Sequence, residues 1–119
     1  MKTRATFAAL IAAVTLAACG GDSEGESTPT PAGGQPSAAN GQELFTSNCA
    51  NCHVLAAAGA NGQLGPNLDQ LRPGPDLVKT QVENGGGAMP AFKGQLSAKQ
   101  IQDVAAFVYN ATHGLPTNK

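Results

Sequence analysis

The chain has 119 residues, with 7 Lys and Arg against 8 Asp and Glu, no Trp, 4 Phe and 1 Tyr. This length allows one small domain, and the equal numbers of acids and bases in residues 40–119 exclude the basic field that nucleic acid binding requires. Residues 40–119 hold only 19 large side chains of the Leu, Val, Ile, Met, Phe and Tyr types, so a covalent staple or a bound cofactor is expected to complete the core.

Residues 1–18 have the pattern of an export signal. Lys2 and Arg4 precede an uncharged run, Phe7 to Ala18, that is rich in small apolar side chains. A helix of about 12 residues rises about 18 Å, which is well short of the ~30 Å hydrocarbon layer of a membrane. The segment is therefore predicted to be a signal peptide rather than a permanent membrane span.

The leader ends in LAACG at residues 16–20, which resembles the lipobox of bacterial lipoproteins. The resemblance implies that Cys19 is lipidated, becomes the first residue of the mature protein and attaches it to a membrane. The alternative is an ordinary cleavage site followed by a coincidental cysteine. Residues 20–39 contain five Gly, three Pro and five Ser or Thr, so residues 19–39 are predicted to be an acylated cysteine with a disordered tether. Residues 40–119 are then the folded domain.

The domain is predicted to be all-α, with its first helix over residues 41–51. Asn40 and Glu43 have the spacing of a capping box, and Leu44 and Phe45 follow at helical spacing. Residues 54–74 contain several Gly and Pro residues without sustained periodicity, which indicates an irregular loop. No run in the domain has the pattern of a strand.

Two further helices follow this loop. Pro75 is placed at the first helical position of the second helix, which Asn84 and Gly85 end. Ser97 and Gln100 form a second capping-box pattern, from which a last helix is expected to run to about residue 111.

The sequence CxxCH occurs at residues 49–53, and it is the attachment pattern for c-type heme. Cys49, Cys52 and His53 project from one face of a helical turn, so two thiols can bond the vinyl groups while the imidazole reaches the iron. A redox-active or structural CxxC typically lies in a βαβ context, for which this sequence has no strand pattern, and it does not require the histidine. A zinc site needs four ligands, and beyond this cluster the mature chain offers only His113 and Cys19, which the lipobox resemblance makes an acylated residue. We therefore predict one covalent heme c.

The iron needs a sixth ligand or an open position. Met89 is the only methionine of the mature chain and lies in the glycine-rich segment NGGGAMPAF at residues 84–92. Its alternative role is a core methionine. His113 is the rival ligand, but it is expected at the frayed end of the last helix, where a histidine is typically solvated. Met89 is the predicted ligand.

With these motifs in order, the chain resembles class I cytochromes c of the small bacterial monoheme kind. The resemblance spans about residues 40–112 and rests on CxxCH together with Gly41, Phe45, LGPNL at 64–68, AMPAF at 88–92 and AFV at 106–108. It implies that Gly41 and Phe45 of the first helix pack against Val104 and Phe107 of the last. It also implies that the Pro66 carbonyl accepts the Nδ1 proton of His53. Val54 and the Ala- and Gly-rich loop at 56–63 depart from the family pattern.

The resemblance implies an electron-transfer protein, not an enzyme, with His53 and Met89 on the iron and no catalytic residues. Together with Cys19 it predicts a monomer that is lipid-anchored on the outer face of the cytoplasmic membrane or in the periplasm. Its partners would be membrane redox complexes such as a quinol–cytochrome c oxidoreductase, a terminal oxidase or a reaction centre. The alternatives are a heme sensor or small peroxidase in which Met89 is displaced, and an interaction module that accompanies an oxidase.

Overall fold

The computed structural model describes residues 34–118, so the predicted leader, Cys19 and most of the predicted tether lie outside the described residues. Four α-helices, one short 3-10 helix and one small antiparallel sheet make up this part: α1 (Ala38–Asn48), β1 (Val54–Leu55), the 3-10 helix (Ala56–Ala58), β2 (Ala60–Asn61), α2 (Leu68–Leu71), α3 (Pro75–Asn84) and α4 (Ala98–His113). None of the helices over residues 34–118 has the length and apolar character needed to cross a membrane. The predicted helical fold is confirmed, and one small sheet is added to it.

The first helix begins earlier than its predicted start, because the capping residue is Ser37 and not Asn40. The Ser37 Oγ accepts a hydrogen bond from the Asn40 backbone N at 3.2 Å, which satisfies one of the free N–H groups of the first turn. The prediction of a capping box formed by Asn40 and Glu43 is therefore wrong. Ala38 and Ala39, which the sequence placed in the tether, start α1, and the helix ends at Asn48 rather than near residue 51.

The side chain of Asn40 takes part in a buried polar cluster instead. Asp103 on α4 is fully buried, and it accepts hydrogen bonds from the Ser37 backbone N and from the Asn40 Nδ2, both at 2.7 Å. Its third donor is the Nζ of Lys99, one turn earlier on α4. We call these four residues the Asp103 cluster. It fastens the start of α1 to α4.

The crossing of α1 and α4 depends on one position without a side chain. A Cβ added at Gly41 would lie 2.0 Å from the Asp103 backbone O and 2.8 Å from the Phe107 Cβ, which is far inside van der Waals contact. Next to this contact the rings of Phe45 and Phe107 pack with their centroids 5.8 Å apart, at 59° to each other. The predicted approach of Gly41 and Phe45 to the last helix is confirmed.

The segment between the heme motif and α3 is more regular than predicted. Val54 pairs with Asn61 and Leu55 with Ala60 in a two-residue antiparallel ladder, so the expectation of no strand is wrong. Strands this short are below the length at which an alternating pattern can be recognised. The ladder buries Leu55 completely and positions the loop that continues into α2.

The last two long helices begin as predicted. Pro75 occupies the first turn of α3, which ends at Asn84. At α4 the Ser97 Oγ accepts from the Gln100 backbone N at 3.2 Å, and the Gln100 Oε1 accepts from the Ser97 backbone N at 2.8 Å. This reciprocal pair confirms the capping box.

The core lies between these helices and borders a cavity on one side. Its largest buried members are Phe45, Leu55, Leu68, Val78, Val82, Phe92, Ile101, Val104, Phe107 and Val108. Val104 and Val108 lie one turn apart on α4, so the same face of this helix supports both the core and the cavity.

Candidate heme site

A cavity of about 450 Å³ opens between the end of α1, the loop before α2, α3 and α4. Its walls are mainly apolar, and they include Phe45, Leu68, Val78, Val82, Phe92, Val104 and Val108. Among the described residues that line it, no Asp, Glu, Lys or Arg is found. A flat apolar macrocycle fits walls of this chemistry, because a charged wall would require a partner or solvent.

Cys49, Cys52 and His53 enter the cavity together from the end of α1. The backbone N–H groups of Cys52 and His53 both donate to the Cys49 carbonyl at 3.0 Å, so the CxxCH motif forms one tight turn that continues the helix. Burial raises the pKa of the Cys49 thiol to about 11, and the neighbouring Cys52 adds to the rise. Both cysteines line the same cavity as His53, as attachment to one macrocycle requires.

The imidazole of His53 is held by the loop before α2. Its Nδ1 lies 2.9 Å from the Pro66 carbonyl O, and because a carbonyl only accepts, Nδ1 donates and Nε2 keeps its lone pair. A Cβ added at Gly65 would lie 2.6 Å from the His53 Cε1 and 2.8 Å from Nδ1. The backbone of Gly65 therefore packs directly against the His53 ring, and this contact fixes the orientation of Nε2.

Met89 lines the same cavity and packs, partly buried, against the core. Its backbone belongs to a tight turn in which Gly86 and Met89 exchange two hydrogen bonds, each of 3.0 Å. His53 and Met89, whose imidazole nitrogen and thioether sulfur are of the kinds that bind heme iron, therefore line one apolar cavity. Residues 34–118 contain no cluster of three or more His, Cys, Asp or Glu side chains that could hold a metal ion.

His113 does not line this cavity. It is the last residue of α4 rather than part of a frayed end, and its ring stacks on Tyr109 with 4.2 Å between centroids. Its Nδ1 donates to the Tyr109 carbonyl at 2.9 Å. The structure thus brings Cys49, Cys52, His53, Pro66 and Met89 to one site, whereas His113 lies elsewhere and Cys19 lies outside the described residues.

Two residues of the site were not singled out from the sequence. Gly65 belongs to the LGPNL segment, but its contact with the His53 ring depends on how the loop folds back. Gln81 is a polar member of the cavity wall. It shares a face of α3 with Leu77, Val78 and Val82, and this helical spacing is the signal that could have identified it.

Comparisons with known proteins agree with this geometry. The family described as "Cytochrome C oxidase, cbb3-type, subunit III" matches residues 36–108. Cytochrome c6 of Leptolyngbya boryana is 47% identical over 75 residues, which cover 60% of this chain and 88% of that protein. Cytochrome c6 of Thermosynechococcus vestitus is 43% identical over 83 residues, covering 66% of this chain and 74% of that protein.

Solved structures give the same result. The c-type cytochrome SorU from Sinorhizobium meliloti is 43% identical with a TM-score of 0.60, covering 63% of this chain and 90% of that one. Cytochrome c6 from the diatom Phaeodactylum tricornutum is 34% identical with a TM-score of 0.54, covering 66% of this chain and 97% of that one. The chain therefore belongs to the class I c-type cytochromes, electron-transfer proteins that carry a covalently bound heme c.

Proposed function

We propose that the chain is a lipid-anchored, extracytoplasmic electron carrier whose iron is bound by His53 and Met89 and which exchanges single electrons with membrane redox complexes. The observation that carries this proposal is the convergence of Cys49, Cys52, His53 and Met89 on one apolar cavity. When bound, the heme supplies an iron that alternates between ferric and ferrous states.

The two proposed iron ligands define the activity. The Pro66 carbonyl orients His53 so that Nε2 would be available to the iron, and the Met89 thioether would be the second protein ligand. With both ligands supplied by the protein, no coordination site would be left for a substrate, which favours a carrier over an enzyme. A neutral thioether favours ferrous iron more than a second imidazole does, which gives a fairly high reduction potential.

The walls of the cavity act in the same direction. Apolar residues such as Leu68 and Val104 line the site, and a medium of low polarity would disfavour the more highly charged oxidised state of the bound heme. No described Asp or Glu lines the cavity to offset this effect.

The anchor and the partners also belong to the proposal. Residues 1–18 serve as the signal peptide, and acylated Cys19 with the tether that precedes α1 holds the domain near the membrane. The proposed partners are membrane complexes that exchange electrons one at a time: a quinol–cytochrome c oxidoreductase, a terminal oxidase or a reaction centre. No specific observation favours a heme sensor or small peroxidase.

The axial ligands are tested by comparing Met89→Ala with His113→Ala in the heme-loaded protein. We expect Met89→Ala to lower the reduction potential and to let ferrous heme bind carbon monoxide, because the iron would lose one of its two protein ligands. His113→Ala should change neither property, since His113 does not line the cavity. A shifted potential in His113→Ala with none in Met89→Ala would indicate bis-histidine ligation. Binding of carbon monoxide by the wild type would instead support a sensor or peroxidase.

A further inference from the structure

The turn that carries Met89 is tied to the end of α3 at several points. Helix α3 ends at Asn84, and Gly86 and Met89 then close a turn with two backbone hydrogen bonds of 3.0 Å. The chain next folds back beside α3, where the Phe92 backbone N donates to the Val82 carbonyl at 2.8 Å. The backbone of Met89 is therefore fixed on both sides.

Gly85 is the residue that joins α3 to this turn. Its backbone angles are φ 66° and ψ −162°, a region that essentially only glycine occupies. A Cβ added there would lie 2.5 Å from the Met89 carbonyl O and 2.8 Å from the Ala91 backbone N. Both are backbone atoms, so neither can rotate away as a flexible side chain could.

We propose that Gly85 is a positioning residue for the Met89 thioether. Because Gly85 has no side chain, the Met89 turn lies directly against the end of α3, and this contact sets the position of the sulfur relative to His53 Nε2. The proposal rests on the proposed function, in which Met89 binds the iron. A side chain at Gly85 displaces the turn at the residue that carries the ligand, and the sulfur moves away from the iron.

Other glycines with positive φ allow backbone strain to be separated from this contact. Gly94 has φ 88°, and an added Cβ would meet no atom within 4 Å. Gly94→Ala therefore introduces a side chain at positive φ without touching the Met89 turn, which makes it the matched control for Gly85→Ala.

The test uses the heme-loaded protein and three readouts: the charge-transfer band of thioether-ligated ferric heme, the reduction potential, and carbon monoxide binding by ferrous heme. We expect Gly85→Ala to lose the band, to have a lower potential and to bind carbon monoxide, as Met89→Ala does. Gly94→Ala should retain the band and bind no carbon monoxide. A wild-type band and no carbon monoxide binding in Gly85→Ala would overturn the proposal.

A second variant answers the case in which Gly85→Ala does not fold. The variant has one glycine inserted between Gly85 and Gly86. The insertion adds no Cβ, and lengthening a loop by one residue costs little free energy of folding. It does shift the Met89 turn by one residue relative to the end of α3. Loss of the band with unchanged helical circular dichroism would support the proposal, and retention of the band would overturn it. If Met89→Ala leaves all three readouts unchanged, the ligand assignment itself is wrong, which separates the failure of the proposed function from that of the Gly85 proposal.

Discussion

Replacing Asp103 with alanine removes the acceptor on which the Asp103 cluster converges. The carboxylate is fully buried and accepts from the Ser37 backbone N, the Asn40 Nδ2 and the Lys99 Nζ. Hydrogen bonds to charged groups contribute about 1.5–3 kcal/mol each, and breaking a buried ion pair costs about 3–5 kcal/mol. Asn40 is exposed and the Lys99 side chain is 11% exposed, so both donors can recover part of their solvation.

We therefore expect Asp103→Ala to lower the free energy of unfolding by about 3 kcal/mol, near the lower limit for a broken buried pair. At roughly 4–8 °C per kcal/mol for a domain of this size, Tm falls by about 12–24 °C. Guanidinium unfolding of the heme-loaded protein, followed by far-ultraviolet circular dichroism, measures the change.

The matched control is Asp76→Ala, which removes an exposed carboxylate from the first turn of α3. Its loss should cost only about 0.3–1 kcal/mol through the helix dipole. A double-mutant cycle with Lys99→Ala then isolates the pair of Asp103 and Lys99. If Asp103→Ala is no more destabilising than Asp76→Ala, the cluster does not fasten α1 to α4 and the reasoning is refuted.

Three further predictions concern the attachment points and the end of α4. After denaturing electrophoresis, the wild type should keep heme stain and the double variant Cys49→Ala with Cys52→Ala should lose it; a colourless wild type, produced with a working attachment system, would contradict covalent heme. Labelled fatty acid should enter the wild type but not Cys19→Ser, and label in that variant would mean another acylation site. His113→Ala should lower the free energy of unfolding by about 0.5–1.5 kcal/mol, because it removes the stacking on Tyr109; unchanged stability in guanidinium would show that the stacking contributes nothing.

The parts of the fold that the sequence predicted correctly depend on local signals. The Ser97 and Gln100 pair and the Pro75 start need only neighbouring residues to form their interactions, so both could be recognised from spacing. Cys49 to His53 is likewise a local pattern, and it predicted the heme that the family carries.

The features that were missed depend on distant contacts. Asn40 has a good local case as a cap, but its side chain instead donates to Asp103, 63 residues away along the chain, and the helix starts at Ser37. The pairing of Leu55 with Ala60 involves too few residues to leave a pattern. The contact of Gly85 with the Met89 carbonyl follows from how the turn folds back, which spacing alone does not specify.

The contact of Gly41 with α4 has a consequence for the order of events during folding. The two helices that close the domain lie at opposite ends of its sequence, so α1 cannot dock until Phe107 has been synthesised and has reached it. Cys49 and Cys52 both precede Phe107 along the chain. Once α1 docks, Cys49 is only 8% exposed, so thioether formation is easiest before the ends of the domain meet. A variant that brings α1 and α4 together faster would shorten the period in which heme can be attached.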